Sequence, residues 1–129
     1  LLEKEGHQVE FANDGVDGVS QARLQLPDLI LMDLRMPAPG DGFEAIKILR
    51  SDPITAEIPI FAISAWPTHQ YRAHAFKAGA DLFINKPIIA ENLKAKIKTY
   101  VTADRKELKR LRVEMQARLL DQEKRRATD

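Results

Sequence analysis

The sequence contains no cysteine, no long apolar run and almost no net charge. Without cysteine, disulfide bonds and thiolate chemistry are excluded, and a cytosolic location is permitted but not required. No apolar stretch is long enough to cross a bilayer, and no secretory signal peptide is recognisable. The formal charge of +1 gives no strong field toward nucleic acid or an anionic membrane, so we expect neither as a partner of this domain. The 129 residues suffice for one domain with a buried core.

That core is predicted around residues 28–33, Asp-Leu-Ile-Leu-Met-Asp, where four apolar residues run directly into an aspartate. An uninterrupted apolar run of this length indicates a strand that is buried on both faces, as in a parallel α/β sheet. Ligands bind such sheets outside the carboxyl ends of the strands. Asp33 lies at that end, where it either belongs to a site or only begins a turn, as aspartate often does after a strand.

Further strand patterns separated by helical patterns predict a doubly wound parallel α/β sheet with right-handed connections. These strand patterns lie at residues 9–11, 59–64 and 81–84. The strand ends of a parallel sheet fall on one edge, and Asp33, Ser64 and Lys86 each come at the end of a separate strand. We therefore expect a carboxylate, a hydroxyl and an ammonium group to converge on one site.

These three groups form no nucleophilic triad, because none of the three histidines is placed to activate Ser64. They suit instead a phosphoryl group attached to Asp33, since an aspartate carboxylate can accept one as an aspartyl-phosphate. Lys86 would pair with a phosphate oxygen, Ser64 would donate a hydrogen bond to another, and a divalent cation of the Mg²⁺ type would assist. Taken singly, Lys86 is more simply a solvated lysine and Ser64 a hydroxyl that satisfies backbone, so only their joint occurrence favours a site.

The end of the sequence differs from the rest in charge. Residues 1–101 carry 11 Lys and Arg against 13 Asp and Glu, whereas residues 102–129 carry nine against six. Residues 88–129 contain neither glycine nor proline. The last helix is therefore predicted to continue beyond a domain at 1–101 into a charged helical extension or linker at 102–129.

A short heptad pattern runs through this extension. Its positions are Val101, Asp104, Leu108, Leu111 and Met115. Asp104 breaks the seam and Arg118 ends it, and two heptads are too few to predict a coiled coil. For residues 104–115 we favour packing on a partner or an adjacent domain, and for residues 116–129 a solvated, charged helix.

Several motifs, taken together, resemble those of the receiver domain of two-component response regulators. The close matches are Pro27-Asp28-Leu29-Ile30-Leu31-Met32-Asp33, Met36-Pro37 with Asp41-Gly42, Ser64-Ala65, Ala78-Gly79-Ala80-Asp81, and Lys86-Pro87, and a looser one is Asn13-Asp14-Gly15. The resemblance covers about residues 1–100. It implies the flavodoxin-like strand order 2-1-3-4-5.

The resemblance also implies a role for each site residue. Asp33 is the implied phosphoacceptor, Ser64 the switch hydroxyl and Lys86 the lysine that pairs with the phosphate. Phe83 takes the position of the switch aromatic, which is often Tyr or Phe. The carboxylate of Asp33 and the backbone carbonyl of Arg35 are implied ligands of Mg²⁺ or Mn²⁺.

A protein of this family is expected to be a signalling switch rather than an enzyme, and to lie in the cytoplasm. Its implied partner is a histidine kinase or a histidine phosphotransfer protein, and a homodimer through the last helix and the extension is a further expectation. The Lys86–Pro87 peptide bond is implied to be cis, because this turn must aim the lysine back at the acceptor.

The sequence departs from the family pattern close to the implied metal. The loop before Asp41-Gly42 carries Ala38-Pro39-Gly40, one residue more than the common pattern. The family's first strand and its acidic pair are not found, since the sequence starts with the pattern of a helix end. We therefore expect further acidic ligands upstream of Leu1 and interpret the sequence as a fragment, with a strand donated by a partner chain as the lesser alternative. Without that central strand, two inner sheet edges would be exposed.

Three functions remain in competition at this stage. The first is a phosphorylatable receiver, and the second is a pseudo-receiver that binds a protein partner without being phosphorylated. A flavodoxin-like nucleotide-binding enzyme is the third, and it is disfavoured because no glycine-rich phosphate loop follows any predicted strand.

Overall fold

The computed structural model describes residues 7–13, 15–34, 41–65 and 69–128, which form four strands and five helices. The strands are β1 (Val9–Ala12), β2 (Leu29–Asp33), β3 (Ile60–Ser64) and β4 (Leu82–Asn85). The helices are α1 (Gly15–Gln25), α2 (Asp41–Ser51), α3 (His69–Ala78), α4 (Ala90–Thr102) and α5 (Arg105–Thr128).

All four strands are parallel and follow the order β1-β2-β3-β4. Every residue of β2 and of β3 is buried, as the uninterrupted apolar runs in the sequence predict for central strands. The predicted doubly wound α/β architecture is therefore confirmed, and the carboxyl ends of the strands lie on one edge of the sheet.

The two faces of the sheet carry separate apolar cores. On one face, alternate residues such as Ile30 and Ala62 pack with buried residues of α1, α2 and α3. On the other face, Leu31 and Phe61 pack with Ile97 of α4. Side chains of a strand alternate between the faces, so each central strand contributes to both cores.

The expectation of two exposed inner edges is wrong for the described residues. β1 and β2 pair directly, with Val9 opposite Leu29, so the backbone groups at these edges bond to each other. Asp28 extends this pairing, because its backbone N–H donates to Gln8 O at 2.7 Å and its carboxylate accepts from Gln8 N at 2.8 Å. Removing the first strand from the family order 2-1-3-4-5 leaves 2-3-4-5, and the four described strands follow that order.

The prediction that the last helix continues into the extension is also wrong. α4 ends at Thr102, and Ala103 adopts an extended conformation with φ −74° and ψ 154°. Asp104 then begins α5, because its carboxylate accepts a hydrogen bond from Lys106 N at 2.9 Å. This is the geometry of a helix N-cap, for which aspartate is among the preferred residues. The residue that interrupts the heptad pattern therefore starts a second helix.

Candidate functional site

The site lies at the carboxyl edge of the sheet and is built around Asp33, the last residue of β2. Its side chain is 4% exposed, and Lys86 Nζ lies 2.9 Å from its Oδ2 atom. Lys86 follows directly after β4 and is 36% exposed. The structure therefore brings together a buried carboxylate and a partly solvated ammonium group, two residues that lie 53 positions apart in the sequence.

Ser64 ends β3, the strand between β2 and β4, and is 1% exposed. Its backbone carbonyl accepts a hydrogen bond from Lys86 N at 2.8 Å. The Lys86–Pro87 peptide bond is cis, which confirms the prediction for this turn. β3 therefore holds the turn that carries the lysine, and the three polar residues predicted at the strand ends lie on neighbouring strands.

Phe83 lies on β4, opposite Ala62 of β3, and its ring points into the core beneath α3. The side chain is only 6% exposed. Arg72 of α3 covers it, with the guanidinium carbon 5.3 Å from the ring centroid, which is a cation–π distance. The described conformation is thus the inward one, with an arginine placed over the aromatic ring.

Of the two implied metal ligands within the sequence, Asp33 is described and Arg35 lies outside the described part of the chain. The Met36-Pro37 motif, Asp14 and the Ala38-Pro39-Gly40 insertion lie outside it as well. Asp33 offers the hard oxygen donor that Mg²⁺ prefers. Within the described ranges, however, no group of three or more His, Cys, Asp or Glu residues could hold a metal ion. The described residues therefore fit one ligand of such a site, not a complete set.

Asp81, the last residue of the Ala78-Gly79-Ala80-Asp81 motif, has a structural role that the sequence analysis missed. Its Oδ2 atom accepts from Arg50 Nη2 at 2.7 Å and from Ile60 N at 2.8 Å, and its Oδ1 atom accepts from Arg112 Nε at 2.9 Å. A buried charge must be paired to be tolerated. Asp81 therefore joins α2, β3 and α5 just before β4 begins.

Arg50 extends this network around Gly79. Its Nε donates to Gly79 O at 2.8 Å, and its Nη1 donates to the carbonyls of Ala56 and Ile58. Burial lowers the pKa of Arg50 to about 10, with repulsion from Arg112 acting in the same direction and attraction from Asp81 opposing it. Gly79 itself has φ +124°, and a Cβ there would lie 2.5 Å from Arg50 Cγ. Only glycine fits that backbone at that distance.

A family model matches the part of the chain that carries Asp33, Ser64 and Lys86. The profile of the response regulator receiver domain matches residues 1–98. The chain belongs to this family. Receiver domains of response regulators are signalling modules of two-component systems rather than classical enzymes.

Several curated relatives are more than a third identical to this chain over the aligned residues. Protein PilH of Pseudomonas aeruginosa is 38% identical over 93 residues, which cover 72% of this chain and 76% of PilH. The DNA-binding dual master transcriptional regulator RpaA of a Synechocystis strain is 37% identical over 97 residues, 75% of this chain. This chain spans only 40% of RpaA, and 42% of the phosphate regulon regulator PhoB of Klebsiella pneumoniae.

Solved receiver domains have the same fold. The receiver domain of a sensor histidine kinase from Pseudomonas aeruginosa superimposes with a TM-score of 0.66 and 28% identity, covering 79% of this chain and 83% of that one. That crystal structure has a magnesium ion coordinated in its active-site cleft. A response regulator from Chloroflexus aurantiacus superimposes with a TM-score of 0.67 and 27% identity over the same shares.

Across the described part of the chain, no helix is both long enough and apolar enough to cross a membrane.

Proposed function

We propose that this receiver domain is a phosphorylation-dependent switch in which Asp33 accepts a phosphoryl group from a histidine kinase or a histidine phosphotransfer protein. The observation that carries the proposal is the 2.9 Å contact between Lys86 Nζ and Asp33 Oδ2, at the edge where Ser64 also ends its strand. Membership of the receiver family supports the reaction, because phosphoryl transfer to aspartate defines that signalling chemistry.

In the proposed step, a carboxylate oxygen of Asp33 attacks the phosphorus of a phosphohistidine. A P–O bond to Asp33 forms and the P–N bond to the donor imidazole breaks, with its electron pair going to that nitrogen. The other ring nitrogen carries a proton, so the imidazole leaves in its neutral form. Lys86 moves from the carboxylate to a phosphate oxygen, where its charge opposes the negative charge of the transferred group. Ser64 donates its hydroxyl proton in a hydrogen bond to another phosphate oxygen.

We propose Mg²⁺, or Mn²⁺ in its place, as the cofactor. Asp33 supplies one suitable oxygen donor, and the magnesium ion in the cleft of a structurally similar receiver supports the same ion class here. The backbone carbonyl of Arg35 and acidic residues upstream of Leu1 are the further ligands that we propose. A bound divalent ion would neutralise charge on the incoming phosphoryl group.

We propose that phosphorylation acts on partners through Phe83. A phosphate on Asp33 adds charge and acceptor oxygens beside Ser64. Movement of Ser64 toward the phosphate would vacate space beside Phe83, whose ring already lies beneath α3, and the ring would repack into that space. Phe83 and Arg72 therefore form the element whose packing differs between the two states, and the face made by α3, β4 and α4 carries the signal.

The remaining assignments follow from this role. We propose that residues 1–101 form the receiver domain and that residues 102–129 form its charged helical extension. A cytoplasmic location is proposed because histidine kinases draw their phosphoryl groups from ATP. A homodimer through α4 and the extension is proposed as one output, whereas nucleic acid and membranes are not proposed as partners of this domain.

A pseudo-receiver that binds a partner without phosphorylation is the second candidate. Intact-mass spectrometry of the full-length protein, incubated with a small acyl-phosphate donor with and without Mg²⁺, separates the two. A switch gains one phosphoryl group only when the metal is present, whereas a pseudo-receiver gains none under either condition.

A further inference from the structure

The extension helix α5 folds back onto the receiver instead of projecting from it. Leu108 is 7% exposed and lies against the domain. Further along, Gln116 Nε2 donates to the carbonyls of Phe76 and Lys77 at 3.4 and 3.3 Å, and Glu123 pairs with the Lys77 ammonium. From Leu108 to Glu123, about four turns of α5 therefore lie against the domain, and the later turns lie along α3.

Arg112 is the residue that fixes α5 to the start of β4. It is 8% exposed, and its Nε donates to Asp81 Oδ1 at 2.9 Å. Asp81 is already bound by Arg50 and by Ile60 N through its other oxygen. The receiver thus presents one carboxylate oxygen on this face, and α5 inserts one arginine to meet it. A charge pair at this depth selects one register of the helix, because a slipped helix would leave Arg112 buried without its partner.

The same contact is incompletely satisfied, which makes it reversible. Two guanidinium groups share the single carboxylate of Asp81, and Arg112 Nη2 is buried without a hydrogen-bond partner among the described residues. A cavity of about 210 Å³ lies between α5 and the domain, lined by Tyr100 and Met115 among others. An unpaired donor and an unfilled cavity both reduce the favourable free energy of docking α5 on the domain. The surface therefore holds α5 specifically but not tightly.

Resting on the function proposed above, we propose that α5 is a self-docked strap that lies across α3 and the start of β4, and that phosphorylation of Asp33 releases it. α5 is anchored at once to α3, through Gln116, and to the residue before β4, through Arg112. Phe83 lies on β4 and packs beneath α3, so a change in its packing alters the spacing between the two anchors. A helix fixed at both points cannot follow that change without losing one of them.

The hinge for this release is the break between the two last helices. Ala103 is extended and Asp104 caps α5, so only a short connection separates α4 from α5. Release about this connection exposes Leu108 and Met115, the residues that the docked helix turns toward the domain. The side of α3 that α5 covered and the apolar seam of α5 then become available together to a second copy of the chain.

Thiol reactivity tests the docked state directly, because the natural chain has no cysteine. Leu108→Cys in the full-length protein places a thiol beneath α5, and Val113→Cys places one on its exposed side, where Val113 is 56% exposed. We expect the thiol at 108 to react with an aromatic disulfide reagent about tenfold more slowly than the thiol at 113, because it reacts only after local opening. Equal rates would overturn docking. Met115→Cys, at a half-buried position that faces the domain, serves as the covered probe if Leu108→Cys does not fold.

Two arginine variants then test the anchor. Arg112→Ala should raise the reaction rate of the thiol at position 108 about fivefold or more over the protein that keeps both arginines. Arg110→Ala should change this rate by no more than about twofold. Arg110 is the matched control because it is exposed and, among the described residues, its ion pairs are with Glu107 and Glu114 of its own helix. Arg112→Ala leaves Asp81 paired with Arg50, so the domain is expected to stay folded. An equal effect of both variants would overturn the anchor.

Protection of the thiol at position 108 that depends on protein concentration would mean that α5 docks on a second copy, and would overturn the self-docked strap.

Release is tested with a beryllium fluoride phosphate analogue and Mg²⁺, whose binding is read separately by fluorine NMR. We expect binding of the analogue to raise the rate at which the thiol at position 108 reacts with the disulfide reagent, and to leave the rate of the thiol at position 113 unchanged. Binding without a change at 108 would overturn the regulated strap while leaving the proposed switch intact. If the analogue does not bind, the proposed function is overturned and the proposed release of α5 is overturned with it. The arginine variants would still show whether α5 is docked.

Discussion

Lys86 Nζ lies 2.9 Å from Asp33 Oδ2, although the lysine side chain is 36% exposed and the aspartate side chain only 4%. The carboxylate is thus held inside the edge of the sheet by a cation that keeps one side in solvent. Such a lysine balances a buried charge before phosphorylation and has room to follow a larger anion afterwards. This difference in exposure supports Asp33 as the proposed phosphoacceptor and Lys86 as the group that follows the phosphate.

Lys86→Met should destabilise the fold, because it leaves the carboxylate of Asp33 buried without its cation. We expect a loss of about 1–3 kcal/mol in the free energy of unfolding, below the range for fully buried pairs because Lys86 is partly solvated. Urea denaturation measures it. Lys47→Met is the control, since Lys47 is exposed on α2 and its loss should change stability by about 0.5 kcal/mol or less. Equal losses in the two variants would show that Lys86 does not compensate Asp33.

Ser64→Ala should separate phosphorylation from signalling. The hydroxyl is buried at the end of β3, and the variant removes the donor to the phosphate while leaving Asp33 and Lys86 in place. Phosphoryl incorporation, measured by intact mass, should persist, whereas the phosphate-dependent change in partner binding should be lost. Ser64→Thr keeps the hydroxyl and should keep the change. If Ser64→Ala responds to phosphate as the natural protein does, Ser64 is not the switch residue.

Phe83→Ala should likewise retain phosphorylation and lose coupling, because the ring beneath α3 is the proposed moving part. The expected result is no phosphate-dependent change in self-association, measured by analytical ultracentrifugation with and without a phosphate analogue. Removal of a core ring also lowers stability by about 3–5 kcal/mol, so the measurement is made under conditions where circular dichroism shows a folded protein. Phe11→Ala removes a 53% exposed ring from β1 and should leave the shift unchanged. A shift that persists in Phe83→Ala would mean that the signal leaves the site by another route.

Glu10 predicts a dependence of stability on pH. Its carboxylate oxygens are buried and have no hydrogen-bond partner among the described residues, and burial raises the pKa of Glu10 to about 7. The unfolded chain releases this proton near its ordinary pKa of 4.5, so the folded state binds more protons between these values. Stability should therefore be complete below about pH 4.5 and fall as the pH rises toward 7, by on the order of 1 kcal/mol once partial solvent screening is included.

Urea denaturation at several pH values measures this dependence. Glu10→Gln should flatten the stability profile between pH 5 and 8 by removing the titration, whereas Glu57→Gln, at an exposed position, should leave the profile as it is. An unchanged profile in Glu10→Gln would show that the carboxyl is solvated in the folded protein.

The central strands and the site were predictable because each depends on short-range information. Uninterrupted apolar runs require burial on both faces, and a parallel sheet places the ends of such strands on one edge. Asp33, Ser64 and Lys86 were therefore identifiable as a group before their distances were known. Their roles in phosphoryl transfer stay predictions until they are measured.

The packing of α1 was less predictable, because small residues form its buried face. Gly18 and Ala22 are buried, whereas Val16 and Leu24, which share the helical spacing of apolar residues, are 78% and 79% exposed. A Cβ on Gly18 would lie 2.7 Å from the Cβ of Ala12, so α1 approaches β1 too closely for a larger side chain. Apolar periodicity indicates the helix but cannot show where a close approach selects glycine.

The position of α5 could not be predicted, because it depends on partners that are distant in sequence. Arg112 and Asp81 are 31 positions apart, and neither is unusual in its own segment. A seam that contains Leu108 and Met115 fits packing on another chain as well as packing on the same domain. The break at Ala103 decides between them, and the only local signal for it was Asp104 at a seam position.

The most direct test of the central claim is peptide-level mass spectrometry of the full-length protein after incubation with an acyl-phosphate donor and Mg²⁺, for the natural sequence, Asp33→Asn and Asp28→Asn. Asp28 lies just before the same strand, at the opposite end from Asp33, and is the matched control. The account predicts one phosphoryl group on Asp33 in the natural protein and in Asp28→Asn, and none in Asp33→Asn. Undiminished incorporation in Asp33→Asn would contradict it.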